Sequence, residues 1–339
     1  MIHRFMKKPE LNYKKFLKIS LQIFIYVLVI YYIYERASVG RDLVKSIENI
    51  DKIYFISAIL VYLIQTLFNS FLWFIIMVKS GEKVSLVSQV DVYLKSYLLR
   101  YIPGNVVGIF ARGEFNKVYG VSRLKSLWGW FLENITFLAV GIGFGSYFIV
   151  KNLTSVLNFT TSVVSRQNIV IAISGAVVIL ILFAVYLSMY KTNELWKFFD
   201  SYILKKVLKK NLGKSITIKF DNQSRILIVL GYIVSWAMYS ISFILMVAAV
   251  DPAALEYPIA LASVNALAWS LGYLFIITPS GSGVREGAFL SLLPLIAGIS
   301  PVGSAIITIG MRLVNVIGEV GAFALFKAYT VLNKMYKRL

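Results

Sequence analysis

Apolar runs long enough to cross a hydrocarbon core about 30 Å thick, a distance that takes about 20 residues of helix, recur from one end of the chain to the other. Between them lie short stretches that collect Lys, Arg, Asp, Glu, Pro and Gly. The pattern predicts full spans near 16–34, 53–78, 126–150, 169–190, 226–250, 257–278 and 302–326. Two other apolar pieces do not read as spans. The stretch 90–110 is broken by Pro103, Gly104 and Gly108, and 285–299 is too short to cross at about 1.5 Å per residue. The second piece lies between Pro279-Ser280-Gly281-Ser282-Gly283 and Gly298-Ile299-Ser300-Pro301. The expected fold is therefore an all-α polytopic membrane protein with about seven full spans plus two re-entrant or broken helices. It reads as one transmembrane domain, with a first half near 1–190, a basic loop at 191–225 and a second half near 226–339.

Composition narrows the class further. The 339 residues are 58% hydrophobic and 15% charged, with mean hydropathy +0.75, whereas a soluble domain is about 25% charged. Thirty-five Lys and Arg against 16 Asp and Glu give a net charge of +19. In a membrane protein that excess marks cytoplasmic loops facing anionic lipid, not a nucleic-acid groove. The loop carrying Lys191, Lys197, Lys205, Lys206, Lys209, Lys210, Lys214, Lys219 and Arg225 is accordingly expected inside. Its part 196–210 has the spacing of an amphipathic surface helix, with an ordinary basic loop as the alternative. Arg4, Lys7, Lys8, Lys14, Lys15 and Lys18 precede the first span, which reads as a retained anchor, and Lys327, Lys334, Lys337 and Arg338 follow the last. Both termini are expected in the cytoplasm of a cell-membrane protein.

Catalytic chemistry finds little support. There is no cysteine, and the one histidine, His3, lies in the basic N-terminal tail. No phosphate-loop, dinucleotide or zinc-protease pattern occurs, so no metal, cofactor or enzymatic activity is expected.

The two interrupted places share a vocabulary. Pro103-Gly104-Asn105-Val106-Val107-Gly108 precedes Arg112-Gly113-Glu114, and Pro279-Ser280-Gly281-Ser282-Gly283-Val284 precedes Arg285-Glu286-Gly287. Irregular backbone at membrane depth is tolerated where it is buried in protein or lines a cavity, and paired discontinuous segments in two halves point to a transporter site on an internal repeat. Two cytoplasmic turns are the alternative. Glycine lets backbone approach a ligand, and arginine holds phosphate bidentately without losing its proton. Arg100, Arg112 and Arg285 are thus candidate phosphate ligands, with snorkelling to the interface as the competing reading. Pro103, Gly104, Gly108, Pro279, Gly281 and Gly283 would supply backbone. Arg312 lies inside the last span, where a charge costs at least about 2.5 kcal/mol and needs a partner or a wet cavity. Asn315 and Glu319 follow on the same helical face. Glu133 sits in the span from 126 and could pair with Arg312 or Arg285. Gln65 with Asn69, and Gly141 with Gly145, read as helix-packing contacts, and the many Tyr and Trp residues near span ends as interfacial anchors.

Three motifs together resemble a known family: Leu99-Arg100-Tyr101-Ile102-Pro103-Gly104 with Gly108 and Arg112; Gly120-Val121-Ser122 with Glu133; and Pro279-Ser280-Gly281-Ser282-Gly283-Val284-Arg285-Glu286. The chain is similar to the membrane part of lysylphosphatidylglycerol synthases, the multiple peptide resistance factors, and their standalone flippase-like relatives. The resemblance implies movement of aminoacylated or other phospholipids between leaflets, and it carries over to Arg100, Arg112, Glu133, Arg285 and Glu286. The sequence stops after the last span, so no aminoacyltransferase domain is expected and the chain should not make lysyl-lipid itself. Ser280 and Ser282 stand where relatives often have glycine.

The resulting expectation is a flippase-like lipid transporter. Arg100, Arg112 and Arg285 hold the phosphate of an anionic phospholipid or polyprenyl-phosphate-type headgroup and Arg312 completes a positive cavity. Glu133, Glu286 and Glu319 balance the charge or accept a positive headgroup group. Membrane lipids are the expected partners, with a second copy of the chain or a lipid-synthesising enzyme left open as protein partners. The alternatives are an integral-membrane lipid-modifying enzyme using Glu133 or Glu286 as base, and a membrane partner of a glycosyltransferase or aminoacyltransferase.

Overall fold

A computed structural model describes residues 49–101, 107–157, 220–274 and 283–336, and these form eight α-helices with no strand among them. They are α1 (Lys52–Lys79), α2 (Leu86–Leu98), α3 (Val107–Lys117), α4 (Arg123–Leu157), α5 (Asn222–Val250), α6 (Pro258–Leu274), α7 (Val284–Ala297) and α8 (Pro301–Tyr336). A 3₁₀ turn, Leu99–Tyr101, extends α2. Lys52–Lys79, Arg123–Ser146, Asn222–Val250 and Pro301–Tyr336 are long and apolar enough to cross a membrane. The spans expected at 16–34 and 169–190, and the basic loop 191–225 apart from its last residues, lie outside the described residues.

Local chemistry sets the helix ends. Asp51 caps α1 by accepting from the Ile53 and Tyr54 amides at 2.8 and 3.2 Å, Ser85 accepts from Ser88 N at the start of α2, and Asp221 from Ser224 N at the start of α5. Proline occupies the first position of α6 and α8, where its missing N–H costs nothing.

α1 and α5 pack antiparallel along their length. Asp51 N donates to Ala249 O at 2.9 Å, Ser242 Oγ to Ala58 O at 2.8 Å, and Gln65 Nε2 to Ser235 Oγ at 3.0 Å. One residue number falls as the other rises. Ser235 Oγ also donates to Asn69 Oδ1 at 2.7 Å, so Gln65 and Asn69 are packing contacts, tied to one hydroxyl on the facing helix. Such buried hydrogen bonds hold helices together where lipid supplies no hydrophobic drive.

Around this pair the order of elements occurs twice. α1 is followed by short α2, short α3 and long α4, and α5 by α6, short α7 and long α8. The packings correspond. α2 lies against α3 as α6 lies against α7; α3 against α4 as α7 against α8; α1 against α8 as α5 against α4; and α4 against α6 as α8 against α2. Because α1 and α5 run in opposite directions, the two sets are inverted with respect to one another.

The short helices do not cross. At about 1.5 Å per residue, the 13 residues of α2 and 14 of α7 each reach about 20 Å. Glu82, before α2, pairs with Lys125, in the first turn of α4, so α2 enters and α3 returns at that end. At the opposite end a Cβ on Gly303 would meet Val250 at 3.6 Å, placing the start of α8 beside the end of α5 and near the start of α6. α6 is described to Leu274, within the span expected at 257–278, and α7 packs back along it, so the two form a second hairpin; residues 275–282 lie outside the described residues.

Ser235→Ala strands two buried amides at the α1/α5 contact and is expected to lower stability by about 1–2 kcal/mol. Thermal melting of the detergent-solubilised protein followed by tryptophan fluorescence measures it.

Candidate functional site

The hairpins bring buried charge to the inside of the bundle. Arg112 on α3 is 4% exposed and fully occupied. One guanidinium nitrogen pairs with Glu133 on α4, Nε donates to Ser96 Oγ on α2 at 2.9 Å, and the plane lies over the rings of Trp73 at 4.6 Å and Tyr93 at 4.5 Å. α1, α2, α3 and α4 are tied together by one side chain. Glu133 therefore pairs with Arg112, not with Arg312 or Arg285 as its position in the sequence suggested.

Tyr93 stacks on Tyr97 with ring centroids 5.2 Å apart, and Arg100 lies over Tyr97 at 4.1 Å. Arg100 pairs with Glu319 on α8, and Tyr62 of α1 donates to the same Glu319 oxygen at 2.8 Å. A Cβ on Gly318 would stand 2.7 Å from the Tyr62 ring and 3.3 Å from Leu63 N, so glycine lets α8 press close enough to α1 for that contact. Arg100 keeps 30% of its side chain exposed while Glu319 is buried.

On α8, Arg312 stands seven residues before Glu319, about 10 Å along the axis. Its Nε donates to Glu286 Oε1 at 2.6 Å, and the other Glu286 oxygen accepts from Gly283 N at 2.6 Å. Gly283 has φ +91, a conformation that favours glycine, so the backbone turns sharply into α7 at the inner end of the second hairpin. The signs are exchanged between the hairpins: the return helix gives Arg112 and the long helix Glu133 in the first, Glu286 and Arg312 in the second.

Arg285 differs from the other three. It is 6% exposed, its Nε has no hydrogen-bond partner, and the carboxylate it faces, Glu286 Oε1, lies 4.0 Å away, beyond hydrogen-bond reach. It stands at the second residue of α7, where helix N–H groups also favour an anion.

Pro103, Gly104, Pro279 and Gly281 lie outside the described residues, as does the side chain of Tyr101. Gly108 is described. A Cβ there would stand 2.9 Å from Ser96 O, so glycine is what lets α3 close on α2. Trp73, near the end of the span expected at 53–78, is buried in the bundle and not anchored at an interface, and Tyr62, Tyr93 and Trp236 are buried too. Their signal was position, since Trp73 and Tyr93 fall on the packed faces of their helices.

A family model described as the lysylphosphatidylglycerol synthase TM region matches residues 19–320, which include every arginine and glutamate of these clusters. No curated protein matches the chain. With that match and four helices fit to span a bilayer, the chain is an integral membrane protein.

Removing one partner of a buried ion pair strands the other, so Arg112→Ala is expected to cost about 3–5 kcal/mol. Arg285→Ala breaks no hydrogen bond among the described residues and is expected to leave stability unchanged or raise it. Parallel melting curves of the two variants measure the difference.

Proposed function

The chain belongs to the lysylphosphatidylglycerol synthase TM region family, and on that premise we propose that it is a lipid transporter that binds a headgroup phosphate at Arg285 and moves the lipid between leaflets. The observation that carries this is charge matching. Arg112, Arg100 and Arg312 are each paired with one of Glu133, Glu319 and Glu286, and Arg285 is left without a carboxylate within hydrogen-bond distance. A buried guanidinium whose nearest carboxylate lies 4.0 Å away and is already bonded to Arg312 is only partly neutralised, and an anion that arrives from the membrane completes the match. One surplus positive charge fits one negative charge. A phosphodiester headgroup neutralises the site, whereas a phosphomonoester of the polyprenyl type would overshoot it by about one charge at pH 7.

The roles expected from sequence divide accordingly. Arg285 binds; Arg312 sets the position of Glu286 and adds positive potential beside it; Arg112 and Glu133 hold the first hairpin against α1 and α4. Arg100, half reachable, exchanges its Glu319 partner for the passing headgroup. Inverted sets with hairpins entering from opposite ends support alternating exposure of one central site, with each hairpin as the closure of its own side. The end that carries Lys79, Lys83, Lys117 and Lys125 is cytoplasmic, and the end with Asp51, Asp251 and Glu256 is outside.

Proteoliposomes bearing a headgroup reporter quenched only from outside test the reading. Wild type is expected to equilibrate an anionic phosphodiester lipid. Arg285→Ala is expected to slow movement by at least about 10-fold, the value of losing charged hydrogen bonds of about 1.5–3 kcal/mol. Equal rates in wild type and Arg285→Ala would remove Arg285 from the mechanism.

A further inference from the structure

The two inverted sets correspond in order but not in how closely their equivalent seams shut. Along α4/α6 the helices interlock: a Cβ on Gly145 would stand 3.2 Å from Leu267 N, and one on Gly141 3.2 Å from Ser270 Oγ. The counterpart seam, α2/α8, is in contact over a much shorter stretch. What joins its outer part is charge. Asp91 on α2 accepts from Lys327 of α8 at 2.5 Å and pairs through its other oxygen with Lys95, four residues along α2. The carboxylate is 11% exposed, and each lysine side chain is 39% exposed.

Two ammonium groups on one carboxylate leave one positive charge, half open, at the edge of the bundle. The surroundings suit a lipid. The Lys327 ammonium, besides pairing with Asp91, lies over the rings of Phe323 and Phe326, 5.4 and 5.9 Å from their centroids. The cluster also opens onto the deeper charges: Arg100 follows Lys95 by five residues, about one and a half turns inward, and Glu319 precedes Lys327 by eight on α8. A headgroup held at the seam has a second cation within reach, on the same two elements, in the direction of Arg285.

We propose that the α2/α8 seam is the lateral port for an anionic lipid, that Lys95 and Lys327 dock its phosphate, and that the phosphate passes from them to Arg100. The port rests on the transport reading above.

A photoactivatable phosphatidylglycerol in phosphatidylcholine liposomes containing the full chain tests the port, with labelled residues read by peptide mass spectrometry. Wild type is expected to label α2 near Lys95 and α8 near Lys327. Lys95→Gln with Lys327→Gln is expected to reduce that labelling by about 25-fold, at about fivefold per lysine near the surface, and the double Arg variant is expected to keep it. Asp91→Asn, which leaves both lysines without their carboxylate, is expected to label at least as strongly as wild type, whereas a triad that only packs α2 on α8 would lose labelling. Arg285→Ala, impaired in transport, is expected to label the seam as wild type does. Equal labelling in wild type and the double Gln variant overturns the port, even if wild type transports. Lysine-dependent labelling in a wild type that moves no lipid overturns the transport reading instead and leaves the seam as a lipid-docking site.

Discussion

Arginine at membrane depth must be matched, and the pairing of buried Arg112 and of partly exposed Arg100 and Arg312 with three buried glutamates is the constraint from which the rest of the fold follows. None of these side chains can be left charged in hydrocarbon at a cost below a few kcal/mol, so each pair forces the two elements that carry it together. Arg112 and Glu133 close α3 on α4, Arg312 and Glu286 close α7 on α8, and Arg100 and Glu319 cross from the first hairpin to the last helix. The pairs are linked in turn, through stacked Tyr93 and Tyr97 on one side and two turns of α8 on the other. A fourth arginine in such a network is exceptional for lacking a carboxylate within hydrogen-bond distance, and its surplus charge gives the network something to bind.

The inverted arrangement explains why so many charges meet inside. Helices as short as α2 and α7 cannot cross alone, so the last turn of α2 and the first turn of α7 fall within the bundle. Two hairpins from opposite ends therefore deliver Arg100 and Arg285 to the interior, and the long helices that follow them present Glu133, Arg312 and Glu319. The antiparallel α1/α5 pair fixes the two sets against each other by hydrogen bonds from Gln65 to Ser235, Ser235 to Asn69 and Ser242 to the Ala58 carbonyl. The same symmetry makes any difference between equivalent seams informative, because sequence identity between the halves does not enforce it.

Much of this could be read from the chain itself. Apolar length located the spans at 53–78, 126–150, 226–250 and 302–326, since a long, mostly apolar run suits a helix across lipid. The proline and glycine clusters located both interruptions, and the charge at Arg312 announced a buried partner. Pairing was not legible. Glu133 could have met any of several arginines, and the choice of Arg112 depends on Gly108 letting α3 close on α2. The burial of Trp73 and Tyr93 was missed because an aromatic residue near the end of an apolar run serves an interface equally well, and only its neighbours decide. The packing of α7 along α6 was not legible for a similar reason: apolar composition does not say which helices meet. The cluster of Asp91, Lys95 and Lys327 joins residues more than two hundred positions apart, a distance no local pattern bridges.

The central claim is that the pairing leaves Arg285 as the receptor for a lipid phosphate. Solid-state NMR of the protein in bilayers, with arginine side chains labelled with ¹⁵N and the lipid phosphorus as the other spin, tests it directly through dipolar contact. The account predicts an Arg285 guanidinium–phosphorus contact that disappears in Arg285→Lys, with any remaining contact at Arg100 and none at Arg112. A set of phosphorus contacts unchanged by that substitution, or one assigned to Arg112, would contradict it.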